Sequence, residues 1–177
     1  MGMRILLVFF SVLLVVSCKK KNDTKDLEIK KEVVKTVKSN VDLDIYNFER
    51  FKPILNKQDN KVYVVNFWAT WCAPCIKELP YFEMIKAKYT NVEVILVSLD
   101  FPHAYESKLK PFIAKHTLKS QVIALDNEGA STWMSKVNKN WSGSIPATII
   151  YKNENSKFYE KSFNFMELEK EVKAFLN

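Results

Sequence analysis

Two cysteines three residues apart, Cys72 and Cys75, stand where an apolar run ends and a helical pattern begins. The first turn of a helix leaves backbone N–H groups without intrahelical partners, and the helix dipole favours negative charge there, so a thiolate at Cys72 is stabilised. A free cysteine ionises near ~8.5, whereas a Cys-X-X-Cys thiol at such a position lies near ~7, a difference worth about 2 kcal/mol. Cys72 is therefore the expected nucleophile. Cys75, one turn deeper, is the expected resolving thiol, which attacks the mixed disulfide between Cys72 and a substrate and releases the reduced product. Between them stand Ala73 and Pro74. The proline fixes one torsion of the small ring, so less chain freedom is lost when the sulfurs join.

Two plainer uses of the pair compete. A zinc half-site needs two further ligands, yet there is no second CxxC, and His103 and His116 lie 13 residues apart without metal-ligand spacing, so no metal site is expected. A purely structural disulfide over four residues closes a loop too small to constrain the unfolded chain appreciably.

The elements that must position this pair read as alternating strands and helices. Val41, Leu43 and Ile45 alternate with aspartates as a short half-buried strand. Asn47 can cap a helix carrying Phe48, Phe51, Ile54 and Leu55, with Pro53 disturbing it. Val62 to Trp68 is a continuous stretch rich in β-branched and aromatic residues, the pattern of a central strand buried on both faces. Pro74 to Tyr89 reads as a helix with a bend expected at Pro80. Val92 to Leu99 and Gln121 to Leu125 are further strands. Tyr105, Leu109, Phe112, Ile113 and His116 share a helix face on which Pro111 marks either a kink or the true start. A short helix over 129–137 follows, then a hairpin pairing Ala147–Tyr151 with Phe158–Phe163 around residues 152–157. A last helix opens at Asn164 and Glu167 in a capping-box pattern and lines up Leu168, Val172, Phe175 and Leu176. This order argues for an α/β layer structure with a mixed central sheet.

The 177 residues suffice for one such domain once a targeting segment is set aside. Hydrophobic residues at 47% supply a core. The net charge of +7 resembles a nucleic-acid signature only until it is mapped. Residues 19–40 carry eight lysines against four acids, whereas residues 41–177 carry 18 basic and 16 acidic groups. The excess lies in a tether, and the domain has no footprint for a polyanion, so nucleic acid is not an expected partner.

Residues 1–17 have the form of an export signal: Arg4, an apolar run from Ile5 to Val16, and the small Ser17 before Cys18. These twelve residues, apolar except for Ser11, rise about 18 Å as a helix, short of the ~30 Å hydrocarbon core. Val15-Val16-Ser17-Cys18 resembles the lipobox of bacterial lipoproteins, with Val15 in place of the usual leucine. That resemblance implies that Cys18 is lipidated and anchors the chain to a membrane. Ordinary cleavage near Ser17, leaving Cys18 as a spare thiol, is the alternative. Residues 18–40 then form a Lys-rich tether. Ile29, Val33 and Val37 also fit an amphipathic helix lying on membrane or domain.

Val64-Val65-Asn66-Phe67-Trp68-Ala69-Thr70-Trp71-Cys72-Ala73-Pro74-Cys75, followed by Glu78-Leu79-Pro80, closely resembles the thioredoxin superfamily, specifically its membrane-tethered TlpA/ResA-like extracytoplasmic members. The likeness covers about residues 41–177. A second element, Gly143-Ser144-Ile145-Pro146-Ala147-Thr148, is similar to that family's loop before its fourth strand. The resemblance implies a thioredoxin-like fold, a mixed central β-sheet flanked by helices. It implies a cis Pro146 shielding the dithiol, an Ile145 backbone that pairs with an extended substrate segment, and Trp71 as a flat apolar contact at the rim beside Ala73 and Pro74. For Pro146 the plain alternative is a strand-start proline, and Trp68 is expected in the core. Thioredoxin itself has a buried aspartate beneath the cysteines where this chain has Asn66, which transfers no proton at neutral pH. Glu78 is the candidate to replace it, against the alternative of a solvated helix residue pairing with lysines.

The function so implied is that of a lipid-anchored thiol-disulfide oxidoreductase of the cell envelope, facing the periplasm or extracytoplasmic space. It is expected to act mainly as a reductant, because Ala73-Pro74 lacks the histidine of strongly oxidising relatives. No cofactor is implied beyond the redox-active Cys72–Cys75 disulfide. The implied partners are disulfide-containing exported proteins, apocytochrome c among them, and a membrane protein that donates electrons. A dedicated role in cytochrome c maturation is one alternative. A non-catalytic copper-binding or chaperone module is another, although copper-delivering relatives use CxxxC with a downstream histidine. A peroxidase would want a threonine three residues before Cys72, and Thr70 is two before.

Overall fold

A computed structural model describes residues 41–126 and 130–177. The signal segment 1–17, Cys18, the tether to residue 40 and Gly129 lie outside the described residues. Among the described residues six strands form one mixed sheet, in the spatial order Asp44–Tyr46, Gln121–Leu125, Val92–Ser98, Val62–Trp68, Ala147–Lys152 and Asn155–Tyr159. They are β1 (Asp44–Tyr46), β2 (Val62–Trp68), β3 (Val92–Ser98), β4 (Gln121–Leu125), β5 (Ala147–Lys152) and β6 (Asn155–Tyr159). β1 to β4 run parallel, while β5 is antiparallel to β2 and β6 to β5.

β2 is buried at all seven positions because both its faces are covered. Val62, Val64 and Trp68 face one core cluster, which receives Phe82 and Ile85 from α2 (Ala73–Lys88) and Leu168, Val172 and Phe175 from α5 (Phe165–Leu176). Tyr63, Val65 and Phe67 face a second cluster, with Phe48 and Phe51 from α1 (Phe48–Phe51) and Trp133 from α4 (Ala130–Val137). Each large side chain so buried contributes about 1.5–3 kcal/mol relative to exposure. Among the described residues no helix is long and apolar enough to cross a membrane.

The expected elements are present, with corrections that have local causes. β1 is a three-residue edge strand in which Ile45 is 51% exposed, while Leu43 just before the strand is buried, so the expected alternation does not carry through to Ile45. Asn47 caps α1 by accepting from the Arg50 N–H at 2.9 Å, but the helix gives way after one turn to a 3-10 turn, Lys52–Leu55, which holds Pro53 in its first turn. Of the two readings of the Tyr105–His116 face, the one with Pro111 near the true start holds: a 3-10 turn (Pro102–Ala104) and a π turn (Tyr105–Leu109) precede α3 (Lys110–His116). Pro111 sits in the first turn of α3. His116 is exposed and stacks on Phe112 at 4.1 Å. The hairpin turn falls at residues 153–154, not 152–157, because Asn153 takes a left-handed φ of 52° and its side chain bonds both the backbone and the side chain of Asn60. The capping box of Asn164 and Glu167 forms as expected.

Candidate active site

β2 ends at Trp68, the chain turns over Ala69–Trp71, and Cys72 becomes the N-cap of α2. Its backbone is extended, and its Sγ accepts the Cys75 N–H at 3.3 Å. This is the unpartnered amide that the helix start was expected to offer. Cys72 and Cys75 are joined as a disulfide with their Cα atoms 5.3 Å apart. Cys72 keeps 5% exposure and Cys75 none, so the pair is asymmetric toward an incoming thiol.

The turn is held from beneath by a residue that the motif does not single out. Asp100, fully buried just past β3, accepts from the Thr70 N–H at 3.0 Å, the Thr70 hydroxyl at 2.5 Å and the Ser98 hydroxyl at 2.8 Å. An acid directly following an apolar strand is the available signal, because a buried carboxylate demands donors.

Opposite the sulfurs lies the loop before β5. The Ile145–Pro146 peptide is cis, and the Ile145 carbonyl oxygen stands 3.7 Å from Cys72 Sγ. Trp141 supports this loop by donating its Nε1–H to the Ser144 carbonyl at 2.8 Å. Trp71 is 61% exposed, and Ala73 and Pro74 are exposed beside it. Trp68, in contrast, is fully buried, its ring centroid 5.3 Å from that of Phe112. Cys72, Cys75, Ile145 and Pro146 thus meet at one place, with Trp71, Ala73 and Pro74 on the solvent side of the same helix start.

Glu78 is 1% exposed, which overturns the solvated alternative. Its Oε1 accepts from Asn66 Nδ2 at 2.9 Å, and its Oε2 accepts the Phe163 N–H at 2.7 Å. Asn66 Nδ2 also donates to the Thr148 hydroxyl at 3.1 Å across the β2–β5 pair. Burial pushes the Glu78 carboxyl up to about 7, and the two donated hydrogen bonds oppose that rise only in part. A buried acid titrating near neutrality, one helical turn from Cys75, can store or release a proton. Among the described residues no three His, Cys, Asp or Glu side chains gather at metal-binding distance. A pocket of about 620 Å³ between α2 and α3 is lined by Leu79, Met84 and Phe112 among others and includes neither cysteine.

Residues 36–156 match the model of the AhpC/TSA family. The chain belongs to that family. Within it, Thr70 turns its hydroxyl to Asp100 and stands two residues before the nucleophile position, not three. The chain is 35% identical over 78 residues to a thiol-disulfide oxidoreductase ResA of Bacillus cereus, covering 44% of each chain. It is 26% identical over 132 residues to a peptide-N(4)-(N-acetyl-beta-glucosaminyl)asparagine amidase of Caenorhabditis briggsae, covering 72% of this chain and 22% of that protein. The chain thus spans less than half the length of these curated relatives. Among solved structures, it is similar to a secreted Mycobacterium tuberculosis disulfide oxidoreductase homologous to E. coli DsbE. The TM-score is 0.53 and the identity 22%, over 69% of this chain and 85% of that one. That likeness establishes the thioredoxin-like fold of this AhpC/TSA-family domain, as the motifs around Cys72 and Pro146 implied.

Proposed function

We propose that the chain is a thiol-disulfide oxidoreductase that reduces disulfides of exported proteins from a lipid anchor at Cys18, on the extracytoplasmic side of a membrane. The Cys72–Cys75 disulfide at the start of α2 carries this reading, and the ResA match supports it.

In the reduced protein the Cys72 thiolate is held by the Cys75 N–H and the helix dipole. It attacks one sulfur of a substrate disulfide; a Cys72–substrate bond forms and the other substrate sulfur leaves as thiolate, taking up a proton. The Cys75 thiol then loses its proton to the ionised Glu78, and its thiolate attacks Cys72 Sγ. The second substrate sulfur departs, and the Cys72–Cys75 disulfide remains. Two electrons have passed to the substrate. The Ile145 backbone pairs with the extended substrate segment, and Trp71 offers it a flat apolar contact. A membrane dithiol protein restores the reduced pair. Apocytochrome c is one substrate of the class this site accepts.

Insulin reduction by the purified chain tests the reading. Turnover is expected with wild type and lost with Cys72→Ser; turnover that survives this substitution would show that the pair is not the redox centre.

A further inference from the structure

Glu160 follows β6 directly, and the pairing of Thr148 with Tyr159 sets it beside the start of β5, near Pro146. Its carboxylate gathers three donors from the loop before β5. Ser142 gives its N–H at 3.1 Å to Oε2, Ser144 gives its N–H at 2.9 Å to Oε1, and the Ser142 hydroxyl donates to Oε1. These bonds hold the Glu160 carboxyl below the usual carboxylate range, so the acceptor is ionised at neutral pH. The Trp141 Nε1–H donates to the Ser144 carbonyl. Ser144 is thus fixed through both its N–H and its C=O, and the next residue is Ile145, whose carbonyl faces Cys72 Sγ.

We propose that Glu160 is a positioning residue for substrate docking: it holds the 142–144 loop so that the Ile145 backbone is presented as a preformed edge to an extended polypeptide. Loop residues 142–144 are exposed, and Gly143 has a φ of 97°, so the loop has little packing of its own to set its shape. Four bonds from Glu160 and Trp141 supply what packing does not. Pre-ordering an edge before it pairs with a strand spares the loop that ordering at the moment of binding, which lowers KM more than it raises kcat.

The proposal rests on the oxidoreductase reading and separates from it in one experiment. Insulin reduction is measured with the full chain as wild type, Glu160→Ala, Glu160→Gln and Ser142→Ala, alongside amide hydrogen exchange at Ser142 and Ser144. With Glu160→Ala, KM for insulin is expected to rise about 5-fold with kcat within about 2-fold, and both amides to lose protection. Glu160→Gln retains one acceptor oxygen and falls between; Ser142→Ala removes the hydroxyl with its bonds to Glu160 and to the Ser144 hydroxyl, leaves both backbone amides on Glu160, and gives a smaller KM rise. An unchanged KM in Glu160→Ala overturns the proposal, as does a fall in kcat at constant KM. Absence of insulin turnover in the wild type overturns the oxidoreductase reading instead.

Discussion

Asn66 and Glu78 are hydrogen-bonded at 2.9 Å in the protein interior, one on the central strand and the other on the helix that begins at the dithiol. The amide that cannot move a proton therefore holds the acid that can. The Asn66 amide oxygen has no hydrogen-bond partner among the described residues. Rotating that amide would let it accept from a protonated Glu78, so the pair has one arrangement for each charge state of the acid.

The sign of the resulting pH dependence follows from the raised Glu78 value. An unfolded glutamate titrates near its ordinary value of 4.5 and the folded one at about 7, so between these the folded state holds a proton that the unfolded state has lost. This contribution to stability is full below pH 4.5 and disappears as pH rises through 7, a loss of about 3 kcal/mol. Urea unfolding of the oxidised protein at pH 4.5 and pH 8 is expected to show Glu78→Gln gaining on wild type by roughly that amount as pH rises. A constant gap between the two proteins would remove Glu78 from the neutral titration.

The electron flow is a second expectation. With Ala73-Pro74 between the sulfurs, the reduction potential should lie nearer the roughly −270 mV of thioredoxin than the roughly −120 mV of DsbA, values separated by about 7 kcal/mol. Equilibration against glutathione measures it; a value above about −180 mV would make the protein an oxidant or isomerase.

Trp68 and Trp71, three residues apart, should respond in opposite ways. Trp68 is fully buried, so Trp68→Ala is expected to cost about 3–5 kcal/mol in thermal or chemical unfolding. Trp71 is 61% exposed, and Trp71→Ala should alter stability by less than about 0.5 kcal/mol while weakening insulin docking. Equal destabilisation by both changes would contradict this division.

The anchor is tested by chemistry outside the described domain. Cells expressing the full chain and fed radiolabelled palmitate should label it, and Cys18→Ala should abolish the label. Label that persists on the Cys18→Ala chain would place acylation elsewhere.

Much of this arrangement is legible in the residues because burial on both faces writes itself as an apolar run. Val62–Trp68 and Val92–Ser98 can be read directly, and the CxxC falls at a strand-to-helix junction that supplies free amides. The edge strand β6 starts earlier than its residues suggest because Asn155, Ser156 and Lys157 are exposed and polar, so no alternation marks them; the tertiary partner Asn60 sets the turn. The π turn at Tyr105–Leu109 is hidden because its buried residues, Tyr105 and Leu109, have helical spacing. Within the site, Glu78 stands out by its spacing to Cys75, but its surroundings depend on Phe163, 85 residues away. Asp100 and Glu160 likewise act through Thr70 and Ser144, 30 and 16 residues away. Contacts of that range leave no local pattern.

The bond from the Phe163 amide to Glu78 lies one residue before the cap of the terminal helix. Loosening that last helix, by truncation or by a ligand pulling on it, deprives the buried acid of its strongest opponent to protonation. The helix that follows Phe163 is therefore a handle on the charge of the buried acid, 85 residues away in sequence.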